Sequence, residues 1–349
     1  MKKTFAISGF GRIGRTSLRV WWEHHRNELE LVAINTSGSM PLKDWVHLLK
    51  YDSSYGKFDP SITFKEQQSN KEVTDENPVL GTIQIADRTI IVTAQKNPAL
   101  IPWKNYNADI ILEATGKFLT QEDASLHLQG GAKKVLLTAP GKSDGVSTSV
   151  IGVNEFDQTC NILSNASCTT NCVAPVMQVL HEKLGIKKAL LSTIHAYTDD
   201  QNLMDNSHKD IRRARAAAAN IVPTSTGAAK TTTQIIPELK ELFDGVAFRV
   251  PVLTGSLADM VFVSKKATTK EEVNQILTQA AQSERWKGVL AVTQEPIVST
   301  DIIGRSEASI VDLQLTQVID KDLVKVVSWY DNEWGYCARL MDQLLKINL

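Results

Sequence analysis

The sequence predicts an α/β chain in two domains: a Rossmann-type parallel-sheet domain, then an α+β catalytic domain with a largely antiparallel sheet. Three observations predict it. A length of 349 residues exceeds what one ordinary core occupies. Short β-branched runs alternate with amphipathic stretches in the first half, as βαβ units do. Longer runs in the second half alternate in and out, as strands with one covered face do.

In chain order, strand-like runs at 4–8, 31–34, 89–93, 109–113 and 134–137 are interleaved with helical patterns at 13–25, 45–50 and 120–129. Strand-like runs follow at 188–197, 246–252, 259–265, 309–318 and 323–330, with helical patterns at 173–184, 228–242, 270–283 and 333–346. A boundary near Ser167 gives a dinucleotide-binding domain at 1–167 and a catalytic domain at 168–332, with the terminal helix 333–349 returning to complete the first. No internal repeat is present, and the alanine-rich segment 214–219 reads as a small-residue packing surface.

Composition narrows the function classes. With 38 Lys+Arg against 39 Asp+Glu the net charge is −1, so no general field draws nucleic acid or an anionic membrane, and any anion site must be local. The N-terminus turns polar at once and no run of about 18 apolar residues occurs, which predicts a cytoplasmic chain with neither signal peptide nor span. Cys160, Cys168, Cys172 and Cys337 are too few and too unevenly spaced for a disulfide framework. Cys168-x-x-x-Cys172 lacks the second pair or nearby histidines that zinc requires, so no metal is expected.

Gly9-Phe-Gly11-Arg-Ile-Gly14 fits G-x-G-x-x-G, a weak signal alone but a stronger one between a strand-like and a helix-like run. The first glycine permits the tight turn, the second lets the backbone approach a pyrophosphate, and the third allows close helix–strand packing. At the end of the second strand-like run, where NAD enzymes place a carboxylate on the ribose, stands Asn35-Thr36-Ser37-Gly38. Neutral hydroxyl and amide groups can donate to a 2′-phosphate, which predicts that NADP is accepted or preferred. The alternative is that Asn35 alone holds NAD loosely.

Cys168 precedes an apolar-periodic run and so falls at or just before a helix N-terminus, where the dipole favours thiolate. His195, at the end of a strand-like run, is the candidate imidazole partner. Each residue alone also reads as structural, a buried thiol and a core histidine.

The motifs then become specific. Ser164-Asn-Ala-Ser-Cys168-Thr-Thr-Asn171, His195-Ala-Tyr-Thr198, Arg212-Arg-Ala-Arg215, Pro223-Thr-Ser-Thr226-Gly227, Arg249-Val-Pro251 and Trp329-Tyr-Asp-Asn332 occur in one order. With the glycine loop, they resemble the phosphorylating glyceraldehyde-3-phosphate dehydrogenase family from Lys3 to the C-terminus. The resemblance implies that Cys168 attacks glyceraldehyde 3-phosphate to form a thiohemiacetal and then a thioester. His195 would hold the thiolate as an ion pair and act as base. Inorganic phosphate then releases 1,3-bisphosphoglycerate.

It also implies a substrate-phosphate site at Thr198 and Arg249, an inorganic-phosphate site at Ser167, Thr169, Thr226 and Gly227, and Arg213 between them. Arg212 and Arg215 read as solvated or interface arginines, and Cys172, one turn after Cys168, as a packed thiol. Cofactor contacts would fall on Gly9, Gly11, Arg12, Ile13 and Gly14, on Asn35, Thr36, Lys96 and Thr115, and on Asn332, whose amide would pair the nicotinamide carboxamide. Thr36 replaces the aspartate of NAD-specific members. Asn206-Ser207 stands where many have Leu-Pro, in a loop that reaches a neighbouring subunit's cofactor in the family's homotetramer. Both departures point to NADP.

The rival expectations are erythrose-4-phosphate dehydrogenase, which passes its thioester to water, and a catalytically silent dinucleotide-binding redox sensor. Semialdehyde dehydrogenases share the architecture and the cysteine but have no reason to keep paired phosphate sites. Nucleic-acid binding has only the 212–215 cluster in support.

Overall fold

A computed structural model describes residues 2–349. The chain divides into two compact units, one comprising residues up to Ser149 with 156–166 and 340–349, the other 150–155 with 167–339. This departs from the expected domains in two places: the short segment 150–155 joins the second unit, and the terminal helix Trp334–Lys346 is split between the units instead of belonging whole to the first.

The first unit is built on a nine-stranded sheet in the order Ser147–Thr148, Ile162–Ser164, Lys134–Leu137, Ile110–Glu113, Lys3–Ser8, Leu29–Asn35, Arg88–Thr93, Val79–Ile85, Ile62–Glu66. Pairing is parallel through Arg88–Thr93 and antiparallel over the last two strands. Central strands such as Ile110–Glu113 and Lys134–Leu137 are buried throughout, so they read in the sequence as continuous apolar runs. The edge strand Ile62–Glu66 is exposed after its first residue; neither it nor its neighbour Val79–Ile85, which buries Leu80, Ile83 and Ile85, was expected.

The helical pattern at 13–25 resolves into a helix, Arg12–Val20, running into a wider π-helical turn, Trp21–His25. Trp21 there is fully buried, and its indole N–H donates to the Leu29 carbonyl at 2.9 Å.

The second unit carries a sheet ordered Val222–Ser225, Phe243–Val250, Ile186–Ala196, Ser256–Ser264, Leu323–Tyr330, Ser309–Asp312, Leu290–Thr293, with Gln317–Ile319 also on Leu323–Tyr330. Most pairs are antiparallel. One parallel pair matters for the site: Ile186–Ala196 runs beside Phe243–Val250 in a register that sets His195 against Arg249. The run 309–318 is two strands, because a turn at 313–316 interrupts it. The helix expected over 228–242 stops at Ile235, as Pro237 two residues on cannot continue it.

Helix Cys168–Leu184 has readable ends. Ser167 caps it by accepting the Thr170 N–H at 3.1 Å, and Gly185, at φ 68°, ends it. In the alanine-rich segment Ala214 and Ala217 are buried, but Ala218 and Ala219 are exposed, so packing uses only part of it.

Candidate active site

The glycine turn of the first unit has the shape that a dinucleotide's phosphates require. A Cβ placed on Gly14 would lie 2.1 Å from the Gly9 carbonyl oxygen, and one on Gly9, itself at φ 98°, would lie 2.7 Å from the backbone of Ala114 and Thr115. On Gly11 it would meet nothing within 4 Å, and Gly11 gives helix Arg12–Val20 no side-chain cap. Thus two glycines are demanded by packing, while the third leaves open the space above a helix N-terminus. These residues fit a nicotinamide dinucleotide.

Arg12 opens that helix, and its guanidinium is ion-paired with Asp52, a carboxylate that sequence reading did not single out. The Arg12 pairing and the Ser54 and Tyr55 N–H groups hold the Asp52 carboxyl below its ordinary value, against the burial that would raise it. Ile13 follows in the same first turn. Lys96 is exposed just beyond strand Arg88–Thr93, and Thr115 lies just beyond strand Ile110–Glu113.

The ribose end requires a correction. Asn35 and Thr36 are buried, and their polar groups are engaged inside the protein. Asn35 Nδ2 donates to the Gln95 carbonyl at 2.9 Å, and its Oδ1 accepts from Thr93 Oγ1 and the Gln95 N–H, each at 2.9 Å. The Thr36 hydroxyl donates to the Thr93 carbonyl at 3.1 Å. Both side chains tie strand Leu29–Asn35 to its neighbour instead of offering donors outward. The exposed hydroxyls are those of Ser37 and Ser39, 2.8 Å apart. What holds from the sequence is the missing carboxylate.

In the second unit Cys168 is the first residue of its helix, half-buried, with Sγ 3.5 Å from Nε2 of the buried His195. The opposite ring nitrogen, Nδ1, lies 2.6 Å from the Ala196 carbonyl. A carbonyl only accepts, so Nδ1 carries the hydrogen and Nε2 turns a lone pair to the sulfur. Burial and then the charge of Arg249 lower the His195 pKa to about 3. Burial pushes the Cys168 thiol up, with Arg249 opposing it. Both shifts favour thiol and neutral imidazole over the expected thiolate–imidazolium pair: burial disfavours either charge, and Arg249 further disfavours the imidazolium while favouring the thiolate.

From His195 a continuous chain of bonds runs to both arginines. The Ala196 carbonyl also accepts from Arg249 Nη1 at 3.3 Å, and the same nitrogen donates to Thr198 Oγ1 at 2.7 Å. The Thr198 hydroxyl donates to Asp200, whose other oxygen accepts from Arg213, and Arg213 Nε donates to Thr224 Oγ1 at 2.9 Å. Burial would raise Asp200, yet the Thr198 hydrogen bond and the charges of Arg249 and Arg213 hold its carboxyl low. Asp200 was not anticipated: a carboxylate between two arginines expected to bind phosphate runs against charge matching. Arg249 Nε is buried with no hydrogen-bond partner, an orphaned donor of the kind an anion satisfies.

Thr226 and Gly227 follow the strand that holds Thr224, at the start of helix Ala228–Ile235, and a Cβ on Gly227 would meet nothing within 4 Å. Ser167 and Thr169 have internal duties. Ser167 caps its helix, and the buried Thr169 hydroxyl meets Tyr330 OH at 3.0 Å, which in turn meets Thr193 Oγ1 at 2.9 Å. Asn332 Oδ1 accepts from Ser256 Oγ at 2.8 Å and the Gly255 N–H at 3.1 Å, which directs the amide NH₂ elsewhere as a donor. Ser256, also unanticipated, accepts the Ala196 N–H at 3.1 Å and so joins Asn332 to the strand of His195.

Ser207 lies exposed in a loop whose Asn206 carbonyl accepts from Asn202 Nδ2 at 2.7 Å. Arg215 pairs with Asp205 at 2.8 Å, and Arg212 is solvent-exposed. Cys172 is buried, with its thiol pushed up to about 12 by that burial. Cys160 is half-buried. Among the described residues no cluster of three or more His, Cys, Asp or Glu is placed to hold a metal ion, and no helix is long and apolar enough to cross a membrane.

Comparison with known proteins matches residues 3–121 to the glyceraldehyde 3-phosphate dehydrogenase NAD binding domain and residues 167–332 to the glyceraldehyde 3-phosphate dehydrogenase C-terminal domain. A glyceraldehyde-3-phosphate dehydrogenase 2 from Nostoc sp. is 49% identical over 340 residues, covering 97% of this chain and 96% of the relative. A chloroplastic glyceraldehyde-3-phosphate dehydrogenase of Arabidopsis thaliana is 46% identical over 343 residues, 98% of this chain and 82% of the relative. A glyceraldehyde-3-phosphate dehydrogenase of Streptomyces coelicolor is 46% identical over 339 residues, 96% of each.

Proposed function

As the chain belongs to the glyceraldehyde-3-phosphate dehydrogenase family, we propose that it carries out this reaction through Cys168 and His195 and accepts NADP at least as well as NAD. Membership makes it an NAD(P)-dependent phosphorylating oxidoreductase of an aldehyde phosphate. The observation that carries the residue assignment is the 3.5 Å contact between Cys168 Sγ and the unprotonated face of His195.

The resting pair is neutral, so His195 Nε2 takes the thiol proton as Sγ bonds to the aldehyde carbon. The former carbonyl oxygen then takes that proton from the imidazolium, giving a thiohemiacetal and a neutral imidazole. A dinucleotide held at the Gly9–Gly14 turn would supply the oxidation as a hydride acceptor. His195 removes the hydroxyl proton in that step, leaving a Cys168 thioester. Inorganic phosphate attacks the thioester carbon, its oxygen replaces sulfur, and the imidazolium returns its proton to the leaving thiolate. An imidazolium as acidic as His195 surrenders that proton readily.

Arg249 and Thr198 are the proposed grip on the substrate phosphate. The phosphate dianion would neutralise the same Arg249 charge that suppresses the imidazolium, so a bound substrate raises the basicity of its own catalyst. Thr226, Gly227 and Arg213 are the proposed seat of inorganic phosphate, with Ser167 and Thr169 beside the cysteine.

NADP use is supported by the missing carboxylate at the ribose end and by the exposed hydroxyls of Ser37 and Ser39. We also propose a homotetramer, in which Ser207 serves a neighbour's dinucleotide. The exposure of Leu203, Met204 and Ile211 in its loop, each above 70%, supports a surface that a further copy covers. Sedimentation showing an active monomer overturns that assignment.

One set of assays tests the activity: glyceraldehyde 3-phosphate with NAD or NADP, each with and without phosphate. Phosphate-dependent turnover is expected, with kcat/KM for NADP at or above that for NAD. A tenfold preference for NAD sinks the cofactor assignment. Strong phosphate-independent turnover of erythrose 4-phosphate sinks the substrate assignment, and activity that survives alkylation of the fastest-reacting thiol sinks the role of Cys168.

A further inference from the structure

Strand Ile110–Glu113 is buried along its whole length and ends in a glutamate with no exposed surface. A carboxylate in such a place is costly unless each oxygen is satisfied, and here both are. Glu113 Oε1 accepts from the Thr115 N–H at 2.8 Å and from the Thr115 hydroxyl. Oε2 lies 2.8 Å from Nε2 of His127, a fully buried residue of helix Gln121–Gln129. On the far side of that ring, Trp103 Nε1 lies 3.1 Å from His127 Nδ1. An indole N–H only donates, so Nδ1 must accept, Nε2 must carry the hydrogen, and it points at Glu113. One tautomer satisfies all four groups.

We propose that Trp103, His127 and Glu113 form a buried relay that positions Thr115 for the dinucleotide, with Glu113 and His127 as positioning residues. The proposal rests on the reading of Thr115 as a cofactor contact. Geometry supplies the link to the phosphate turn. The Thr115 nitrogen held by Glu113 is the atom 2.7 Å from where a Cβ on Gly9 would stand, so the height of Thr115 fixes the room in which the first glycine turns. The Thr115 hydroxyl oxygen also accepts the Lys117 N–H at 3.1 Å, around Gly116 at φ 69°. The turn therefore hangs from one carboxylate, and the carboxylate is aimed by a histidine whose tautomer a tryptophan sets.

The arrangement predicts that disturbing a group out of reach of any ligand weakens dinucleotide binding and little else. Glu113→Gln would set an amide NH₂ against either the Thr115 donors or the His127 N–H. Its Kd for NAD and for NADP, read by titration calorimetry, should rise about tenfold. At saturating dinucleotide its kcat should stay within about twofold, with the KM for glyceraldehyde 3-phosphate unchanged. His127→Gln retains a donor toward Glu113 and should bind within about twofold of the parent, whereas His127→Leu should match Glu113→Gln. If Glu113→Gln fails to fold, the histidine pair still decides: equal affinities in the two variants overturn the relay.

Thr115→Ala separates the two claims. Unchanged affinity in that variant refutes the reading of Thr115. If Thr115→Ala weakens binding and Glu113→Gln weakens it again by its full factor in that background, Thr115 stands and the relay falls. The relay requires the second substitution to add less than its full factor, since only the backbone N–H at position 115 is then left for Glu113 to hold.

Discussion

His195 should make the protein acid-labile by a calculable amount. Its pKa is about 3 when folded, against 6.5 for the ordinary imidazole. Between those values the unfolded chain holds a proton that the folded one refuses, so stability falls as pH drops below about 6.5 and the loss is complete near 3. At pH 5 the unfolded imidazole lies 1.5 pH units below its ordinary value; at about 1.4 kcal/mol per unit this costs ~2 kcal/mol relative to pH 7.5. The figure is the same for any folded value well below 5. In His195→Asn the side-chain amide takes the place of Nδ1, preserving the bond to the Ala196 carbonyl and removing the titration. Urea unfolding of both proteins at pH 7.5 and 5.0 isolates the term, because every other titrating group is common to both. The parent should lose ~2 kcal/mol more than the variant over that interval. Equal losses would show that His195 is solvated or already charged in the folded protein, and the neutral-pair mechanism would go with it.

Three further outcomes follow from the same geometry. His195→Asn should lower kcat/KM by about 10² to 10⁴, the usual worth of a positioned base, and a loss below tenfold would assign the proton to another group. Gly14→Ala drives a methyl to within 2.1 Å of the Gly9 carbonyl oxygen, so dinucleotide affinity should fall by at least about tenfold, a change that titration would reveal and that normal binding would contradict. Iodoacetamide at pH 8 should label Cys168 and spare Cys172, whose buried thiol is held near 12. Peptide mapping that finds Cys172 modified first would reverse their roles.

What was legible in the sequence, and what was not, divides along physical lines. The glycine turn could be read because two of its glycines answer local steric demands, and Cys168 could be placed at a helix start because an apolar-periodic run follows it. The ribose end was read for the wrong reason. Composition shows that Asn35 and Thr36 are neutral, but only the packed strand shows their donors turned to Gln95 and Thr93. Asp200, Ser256 and Glu113 escaped notice for a related reason. Each works through a partner remote in sequence or through a charge that matters only once two arginines converge on it. The burial that opposes a thiolate–imidazolium pair was hidden for the same reason, since a helix dipole is visible in sequence and desolvation is not.

The parallel register that sets His195 against Arg249 has a consequence for substrate size. The base proposed for the aldehyde end and the cation proposed for the phosphate end face each other across one rung of a hydrogen-bonded ladder. Such a ladder is a ruler with coarse graduations: its spacing between strands is fixed near 4.8 Å, it can slip only by a whole residue, and a slip of one turns the slipped strand's side chain to the opposite face from its partner. No small adjustment of the sheet can make room for one more carbon between carbonyl and phosphate. Any tuning between a three-carbon and a four-carbon aldehyde phosphate must therefore fall to the loop residues, Thr198, Asp200 and Arg213, which leaves the ruler itself unaltered when the substrate range changes.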